Sequence, residues 1–186
     1  MEKKYLAIFD LDGTLFDTGD VNYYAYRDAL AMFQIELDHD YFVKNCNGRH
    51  YTEFLPEIMG QAADHIEEVH EAKKNAYMAN LDKAKVNVHL IEIMKDIRND
   101  YHIALVTTAS RKNAVDILTY FGYQDLFEYI ISQENMTRMK PEPEGFLLAM
   151  EHFGMEAKRV VIFEDSDVGI QAARATGAAV IVVDRF

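Results

Sequence analysis

The fold of this chain is decided at residues 5–18, which read YLAIFDLDGTLFDT. The first five residues form an apolar run that predicts a short buried strand. Alternate side chains of a strand face the same side, so Asp10 and Asp12 are expected to point together at the strand's carboxyl end, where open α/β sheets bind ligands. A plain Asp-Gly turn would need Asp12 and Gly13 only for their backbone preferences. The additional carboxylate of Asp10 favours a reaction centre over such a turn.

The composition is that of a folded domain. The chain has 186 residues, of which 49% are hydrophobic, enough for one substantial core or for a core with a small accessory domain. No apolar run approaches the roughly 20 residues that a transmembrane helix needs, and the first residues lead into a strand rather than a signal peptide. The single Cys46 excludes an intramolecular disulfide and predicts a packing role. We therefore expect a cytoplasmic protein.

The charge balance is strongly acidic. Nineteen Lys and Arg residues oppose 31 Asp and Glu residues, which gives a formal net charge of −12 at pH 7. Such a chain repels nucleic-acid backbones and anionic membranes, so neither is an expected partner. The same field repels phosphate esters. A site for an ester of this kind would need its own positive charge, which a divalent metal ion and a lysine would supply.

Short apolar runs alternate with stretches of helical spacing along most of the chain. This alternation predicts an α/β fold with a doubly wound parallel sheet. Three of the four helical stretches stop at a glycine, which is the usual signal for the end of a helix. The predicted strands are residues 5–9, 103–107, 128–131, 160–164 and 179–183, and the predicted helices between the later strands lie near 90–97, 115–121, 146–150 and 170–175.

Residues 19–84 break this alternation. They carry no clear strand, and four segments have helical spacing, at 21–33, 40–46, 52–59 and 63–81. An insertion between the first two strands lies over the carboxyl ends of the sheet. We therefore expect a small helical cap at 19–84 and a core domain formed by 1–18 and 85–186. The alternative is a set of helices that merely covers the sheet edge.

Residues 9–18, FDLDGTLFDT, resemble motif one of the haloacid dehalogenase-like (HAD) phosphohydrolase superfamily. Segments that resemble the other three motifs of that family follow in order. Thr107 resembles motif two, where a hydroxyl binds a phosphoryl oxygen; Thr108 is the neighbouring candidate, with Ser110 and Asn113 on the next turn. Lys140 opens the segment KPEP and resembles motif three. Its compact charge suits both a phosphoryl oxygen and the nucleophile beside it.

The segment VVIFEDSDVGIQAA resembles motif four, so the similarity covers nearly the whole chain. Glu164 and Asp165 end a buried strand, where two acids are costly unless they are paired or bound to a metal. Mg²⁺ prefers a few carboxylates with phosphate and water. The resemblance implies a Mg²⁺ site formed by Asp10, the backbone carbonyl of Asp12, Glu164 and Asp165. Capping of the next helix by Asp165 or Ser166 is compatible with that site.

The resemblance, which is to the helical-cap subgroup of the superfamily, implies a Mg²⁺-dependent phosphatase that works through an aspartyl-phosphate. Asp10 is the expected nucleophile, and Asp12 is the expected general acid and then general base. Lys140 and Thr107 are expected to hold the phosphoryl oxygens, and Thr14 to orient Asp12 through its hydroxyl. Dehalogenation is disfavoured, because a leaving halide needs no acid.

Two other functions stay open. One is a sugar-phosphate mutase of the β-phosphoglucomutase type, although relatives of that kind carry a His early in the cap where this chain has Asn22. The other is a non-catalytic phosphate-binding member of the fold, although such proteins usually lack one of the acids retained here. We expect a small phosphorylated metabolite as substrate and a monomer or weak homodimer. Arg49, between two cap helices, either reads the far end of the substrate or is an ordinary exposed loop residue.

Overall fold

A computed structural model of the chain describes residues 3–47 and 49–184. It divides into two compact units, a sheet unit of Met1–Asp17 with Lys85–Phe186 and a helical unit of Thr18–Ala84. The chain leaves the sheet unit at Asp17 and returns at Lys85, and these two residues pair in a two-stranded antiparallel sheet formed by β2 (Phe16–Asp17) and β3 (Lys85–Val86). The sequence does not predict this small sheet, because strands of two residues carry no readable periodicity.

The five main strands are all parallel, and the predicted doubly wound sheet is confirmed. In chain order they are β1 (Tyr5–Phe9), β4 (Tyr101–Val106), β5 (Tyr129–Ile131), β6 (Val160–Glu164) and β7 (Ala179–Val182). Their order across the sheet is β5-β4-β1-β6-β7. The observed bounds agree with the predicted ones for β1 and β6 and differ by one or two residues for the others.

Helices connect the strands of the sheet unit. They are α5 (Val88–Ile97), α6 (Arg111–Phe121), α7 (Glu144–Phe153) and α8 (Asp167–Ala175). As the sequence predicts, α6 and α7 end at left-handed glycines, Gly122 and Gly154, with φ of 73° and 63°. Short 3₁₀ turns at Gln124–Leu126, Gln133–Asn135 and Ala157–Arg159 complete the connections.

The central strand β1 is buried on both faces of the sheet. Leu6 and Ile8 belong to a core cluster that includes side chains of α7 and α8. Phe9 faces the other side, where its ring stacks on Phe163 of β6 with centroids 4.4 Å apart. Burial on both faces explains why β1 reads as a continuous apolar run. The next residue, Asp10, therefore stands at the carboxyl edge of the central strand.

The helical unit has a core of its own. Its helices are α1 (Gly19–Ala31), α2 (His39–Asn45), α3 (Tyr51–Met59) and α4 (Ile66–Tyr77). The 3₁₀ segments Gly60–His65 and Met78–Lys83 take the place of the two ends of the helix predicted over 63–81. Leu30, Phe42, Phe54 and Val69 are buried in this core together with Cys46, which has the predicted packing role. Within the described residues of both units, no helix combines the length and apolar character that crossing a bilayer requires.

Candidate active site

Asp10 is a buried carboxylate at the carboxyl edge of the sheet. Its backbone amide donates to the carbonyl of Phe163 on β6 at 3.0 Å, which fixes the backbone. Its Oδ1 accepts a hydrogen bond from Lys140 Nζ at 2.5 Å. Burial raises the pKa of Asp10 well above its ordinary value, against the opposing effect of Lys140 and with the support of nearby Glu164. Burial therefore outweighs the ion pair with Lys140 in setting the pKa of this carboxyl group.

Asp12 lies in the tight loop between β1 and β2 rather than on the strand. The amide of Gly13 donates to the carbonyl of Phe16 at 2.7 Å, and the amides of Leu15 and Phe16 both donate to the carbonyl of Leu11 at 3.0 Å. Because β1 ends at Phe9, strand alternation does not place Asp12. The position of Asp12, which is half-buried, is instead determined by the hydrogen bonds that close this loop.

Lys140 joins the carboxyl ends of three strands. Its Nζ lies 2.5 Å from Asp10 Oδ1, 2.5 Å from Glu164 Oε1 and 3.4 Å from the carbonyl of Val106, the last residue of β4. Burial by itself would lower the pKa of Lys140, but the carboxylates of Asp10 and Glu164 outweigh it and raise that pKa. The peptide bond from Lys140 to Pro141 is cis. Lys140 is therefore a buried, charged ammonium between two acids.

Glu164, an expected metal ligand, pairs with Lys140 and Ser166 in the structure. Its Oε1 accepts from Lys140, and its Oε2 accepts from the Ser166 amide at 2.8 Å and the Ser166 hydroxyl at 3.1 Å. A Cβ on Gly169 would overlap this carboxylate, so α8 can approach it only with glycine at that position. Both oxygens of the fully buried Glu164 are thus engaged by protein donors. Its expected role as an ion ligand stays a prediction.

Asp165 is held by Thr14. The Thr14 hydroxyl donates to Asp165 Oδ1 at 2.8 Å, which corrects the expectation that Thr14 orients Asp12. Gly13 has φ of 91°, and a Cβ there would overlap the Asp165 carboxylate. Burial raises the pKa of Asp165, against the opposing effect of the Thr14 hydrogen bond. Asp165 is consequently a second acid at this edge that would gain from a nearby cation.

Of the two candidate phosphate-binding threonines, Thr107 is buried and Thr108 is exposed. Thr107 follows β4 directly, and its hydroxyl accepts from the Ala109 amide at 3.0 Å. It lies one residue beyond the carbonyl that Lys140 approaches. Ser110 caps α6 by accepting from the Asn113 amide at 3.2 Å. The structure thus brings Thr107 to the strand ends that Lys140 joins.

The oxygen donors at this edge fit Mg²⁺ in part. Carboxylate and carbonyl oxygens are its preferred ligands, and it commonly uses only one or two carboxylates with several waters. Residues 3–47 and 49–184 contain no group of three or more His, Cys, Asp or Glu side chains arranged to hold a metal ion. Burial raises the pKa values of Asp10 and Asp165, so a cation near either carboxylate would favour its charged form. Asp10 and Asp165 are therefore the acids at this edge whose charge a divalent ion would offset.

Two other candidates belong to the helical unit. The Arg49 guanidinium donates to the carbonyl of Asn45 at 2.7 Å and to Glu57 Oε1 at 3.3 Å, which links the end of α2 to α3. Asn22 donates from Nδ2 to the Thr18 hydroxyl at 3.4 Å within the first turn of α1. Gly48, next to Arg49, lies outside the described residues.

Asn87 is a neighbour of the site that the sequence analysis misses. Its Nδ2 donates to the carbonyl of Thr14 at 3.1 Å, and its Oδ1 caps α5 by accepting from the Leu90 amide at 3.2 Å. An Asn before a helical stretch indicates a helix cap. No pattern along the chain reveals its contact with Thr14, 73 residues away.

Comparison with known proteins gives a consistent result. The family model for haloacid dehalogenase-like hydrolases matches residues 7–183. The chain is 28% identical over 180 residues to fructose-1-phosphate phosphatase YqaB of Escherichia coli (strain K12), and this match covers 95% of each chain.

Two solved structures share the fold. CbbY from Rhodobacter sphaeroides, in complex with phosphate, superposes with a TM-score of 0.83 at 22% identity over 98% of this chain and 87% of that one. β-Phosphoglucomutase from Clostridium difficile superposes with a TM-score of 0.78 at 24% identity over 99% of this chain and 86% of that one. At such identities these two structures support the fold alone.

Proposed function

The chain belongs to the haloacid dehalogenase-like hydrolases and is a phosphohydrolase, and we propose that it is a Mg²⁺-dependent phosphatase that hydrolyses a small phosphomonoester through an aspartyl-phosphate on Asp10. One observation is the main support for this mechanism. Asp10 is buried at the end of the central strand with the Lys140 ammonium 2.5 Å from its carboxylate. That arrangement suits a nucleophile that must approach a negatively charged phosphoryl group.

Asp10, Asp165 and the Asp12 carbonyl would hold Mg²⁺. When bound, the ion neutralises charge on the phosphoryl oxygens and on the attacking carboxylate. The remaining chemistry belongs to protein side chains.

The first half-reaction forms a bond between a carboxylate oxygen of Asp10 and phosphorus, while the bond from phosphorus to the ester oxygen breaks. Asp12 gives a proton to that leaving oxygen, so the alcohol departs neutral. In the second half-reaction water attacks phosphorus and Asp12 takes its proton. The bond to Asp10 breaks, and inorganic phosphate leaves.

Lys140 and Thr107 are proposed to hold the phosphoryl oxygens during both steps. The ammonium of Lys140 is positioned before substrate arrives, because Glu164 accepts a second hydrogen bond from it at 2.5 Å. Groups placed in advance around developing charge lower the barrier without reorganisation during the reaction. Thr107 contributes a hydroxyl from the end of the neighbouring strand.

The proposed substrate class is a small sugar phosphate. Support comes from the similarity to a fructose-1-phosphate phosphatase over nearly the full length of both chains. We propose that the helical unit Thr18–Ala84 acts as the cap that selects the substrate. Hydrolysis is proposed over phosphoryl transfer because Asn22 stands where the mutases carry a His.

A panel of phosphorylated metabolites assayed for phosphate release with Mg²⁺ tests this function. We expect hydrolysis of one or more sugar phosphates by the wild type and none by Asp10→Asn. Asp116→Asn is the matched control, because Asp116 pairs with Lys112 on α6 and is not part of the proposed site. Release of phosphate by Asp10→Asn at the wild-type rate would refute the mechanism.

A further inference from the structure

Asp165 has a single orientation that is fixed from two sides. The Thr14 hydroxyl donates to its Oδ1 at 2.8 Å, and Thr14 is fully buried. On the other side the carboxylate packs against Gly13, where a Cβ would overlap it. A buried hydroxyl with one defined acceptor cannot turn to water, so its direction is set by the backbone of Thr14.

The backbone of Thr14 is in turn held by Asn87. The Asn87 side chain donates to the carbonyl of Thr14 at 3.1 Å, and the Asn87 backbone amide donates to the carbonyl of Leu15 at 2.9 Å. Asn87 is 4% exposed, and its Oδ1 is committed to the Leu90 amide at the start of α5. The Nδ2 and Oδ1 atoms of this side chain are thus each bonded to a backbone atom. The loop that carries Asp12 is anchored to a rigid helix start.

We propose that Asn87 and Thr14 are positioning residues that orient Asp165 for the metal ion. This inference rests on the proposed function, since Asp165 is an ion ligand only if the site binds Mg²⁺. Partners of this kind fix the orientation of a ligating carboxylate, and their loss typically weakens metal affinity about 10- to 100-fold. Asn87 follows β3, the strand by which the chain returns from the helical unit, so the loop of Asp12 and the return strand share one anchor.

The direct test is the affinity for Mg²⁺ alone, measured by isothermal titration calorimetry. Thr14→Val keeps the shape of the side chain and removes the hydroxyl, so we expect the dissociation constant for Mg²⁺ to rise about 10- to 100-fold. Thr14→Ser retains the hydroxyl, and we expect it to stay close to wild type. Thr176→Val is the matched control. Its hydroxyl donates to the Ala173 carbonyl at the far end of α8, and its loss should leave Mg²⁺ affinity unchanged.

Asn87→Ser separates the anchor from the helix cap. Serine is as good a cap as asparagine, but its hydroxyl is too short to reach the Thr14 carbonyl as well. We expect a rise in the dissociation constant for Mg²⁺ in the same direction as for Thr14→Val, together with a lower melting temperature because the buried Thr14 carbonyl loses its donor. In turnover assays both variants should need more Mg²⁺ for half-maximal rate while KM for the phosphoester changes little. If Asn87 had only a structural role, Asn87→Ser would lower the melting temperature and leave the Mg²⁺ requirement unchanged.

The possible outcomes distinguish this inference from the proposed function. Equal Mg²⁺ affinity in wild type, Thr14→Val and Asn87→Ser would overturn the inference and leave the phosphatase proposal intact. Weaker Mg²⁺ binding in the variants, with no phosphoester hydrolysed by the wild type, would support the inference and refute the phosphatase. A wild type that binds no Mg²⁺ would overturn both.

Discussion

The Glu164 carboxylate lies 2.5 Å from the Lys140 ammonium, and both side chains are almost completely buried. Lys140 also contacts Asp10 at 2.5 Å, so removal of Glu164 would leave the buried ammonium with one carboxylate partner in place of two. Glu164 is also held by Ser166 and confined by Gly169. The pair therefore fixes Lys140 in the folded protein before any substrate binds.

Removal of Glu164 should lower the stability of the protein as well as its activity. For Glu164→Ala we expect a loss of about 1–3 kcal/mol in the free energy of unfolding, since Lys140 loses one of its two buried carboxylate partners and keeps Asp10. Glu164→Gln keeps the side-chain volume and should lose less. Urea unfolding at neutral pH measures both. A free energy for Glu164→Ala within about 0.5 kcal/mol of wild type would show that the pair contributes little.

The Asp10→Asn variant should fold and be inactive. The amide keeps the size of the side chain but is not a nucleophile, so we expect turnover to fall by several orders of magnitude, as for other removed nucleophiles. Hydrolysis of p-nitrophenyl phosphate and a thermal melt measure activity and folding together. Near wild-type turnover would exclude an aspartyl-phosphate on Asp10.

Activity should depend completely on a divalent ion. EDTA should abolish turnover and Mg²⁺ should restore it, because carboxylate and carbonyl oxygens favour hard cations. Asp165→Ala should require more Mg²⁺ for the same recovery. Full activity after removal of metal would rule out the proposed ion site.

Glu128 lies at the opposite end of the sheet from Asp10, and it should make the free energy of unfolding depend on pH. Partial burial raises its pKa, but Lys3, His102 and the Ile103 amide outweigh burial and lower it below the ordinary 4.5. The stabilisation is therefore complete above that ordinary value and is lost as pH falls through the lower folded-state pKa.

Glu128→Gln should accordingly flatten the fall in stability between neutral and acidic pH. Urea unfolding across this range measures the effect, which will be modest because Glu128 is about one-third exposed. Glu151→Gln, on the exposed side of α7, is the control and should retain the wild-type profile. Identical profiles for wild type and Glu128→Gln would contradict the assignment.

Product analysis separates hydrolysis from phosphoryl transfer. With Asn22 in place of the mutase His, water should reach the aspartyl-phosphate, so hexose 1-phosphates should yield free sugar and inorganic phosphate. ³¹P NMR with and without a trace of hexose bisphosphate follows the products. Accumulation of hexose 6-phosphate would favour a mutase, and failure of every phosphoester by a folded, Mg²⁺-binding protein would favour a non-catalytic role.

The amino-acid sequence by itself determined the sheet and the identity of the acids. The strands Tyr5–Phe9 and Val160–Glu164 are as predicted, because strands buried on both faces must be apolar throughout and stop where polar residues begin. Asp10, Glu164 and Asp165 stand at those strand ends for the same reason. The family followed from four short motifs, since their order along the chain is readable without a structure.

Only the tertiary structure decided which polar groups meet. Thr14 lies 151 residues from Asp165, and Lys140 lies 130 residues from Asp10, so no local pattern could show that Thr14 serves Asp165 or that Glu164 is committed to Lys140. The pairing of β2 with β3 could not be predicted either, because two-residue strands exist only through their partner. Local propensity sets where strands begin and end, whereas the partner of a buried charge is set by the packing that brings distant strand ends together.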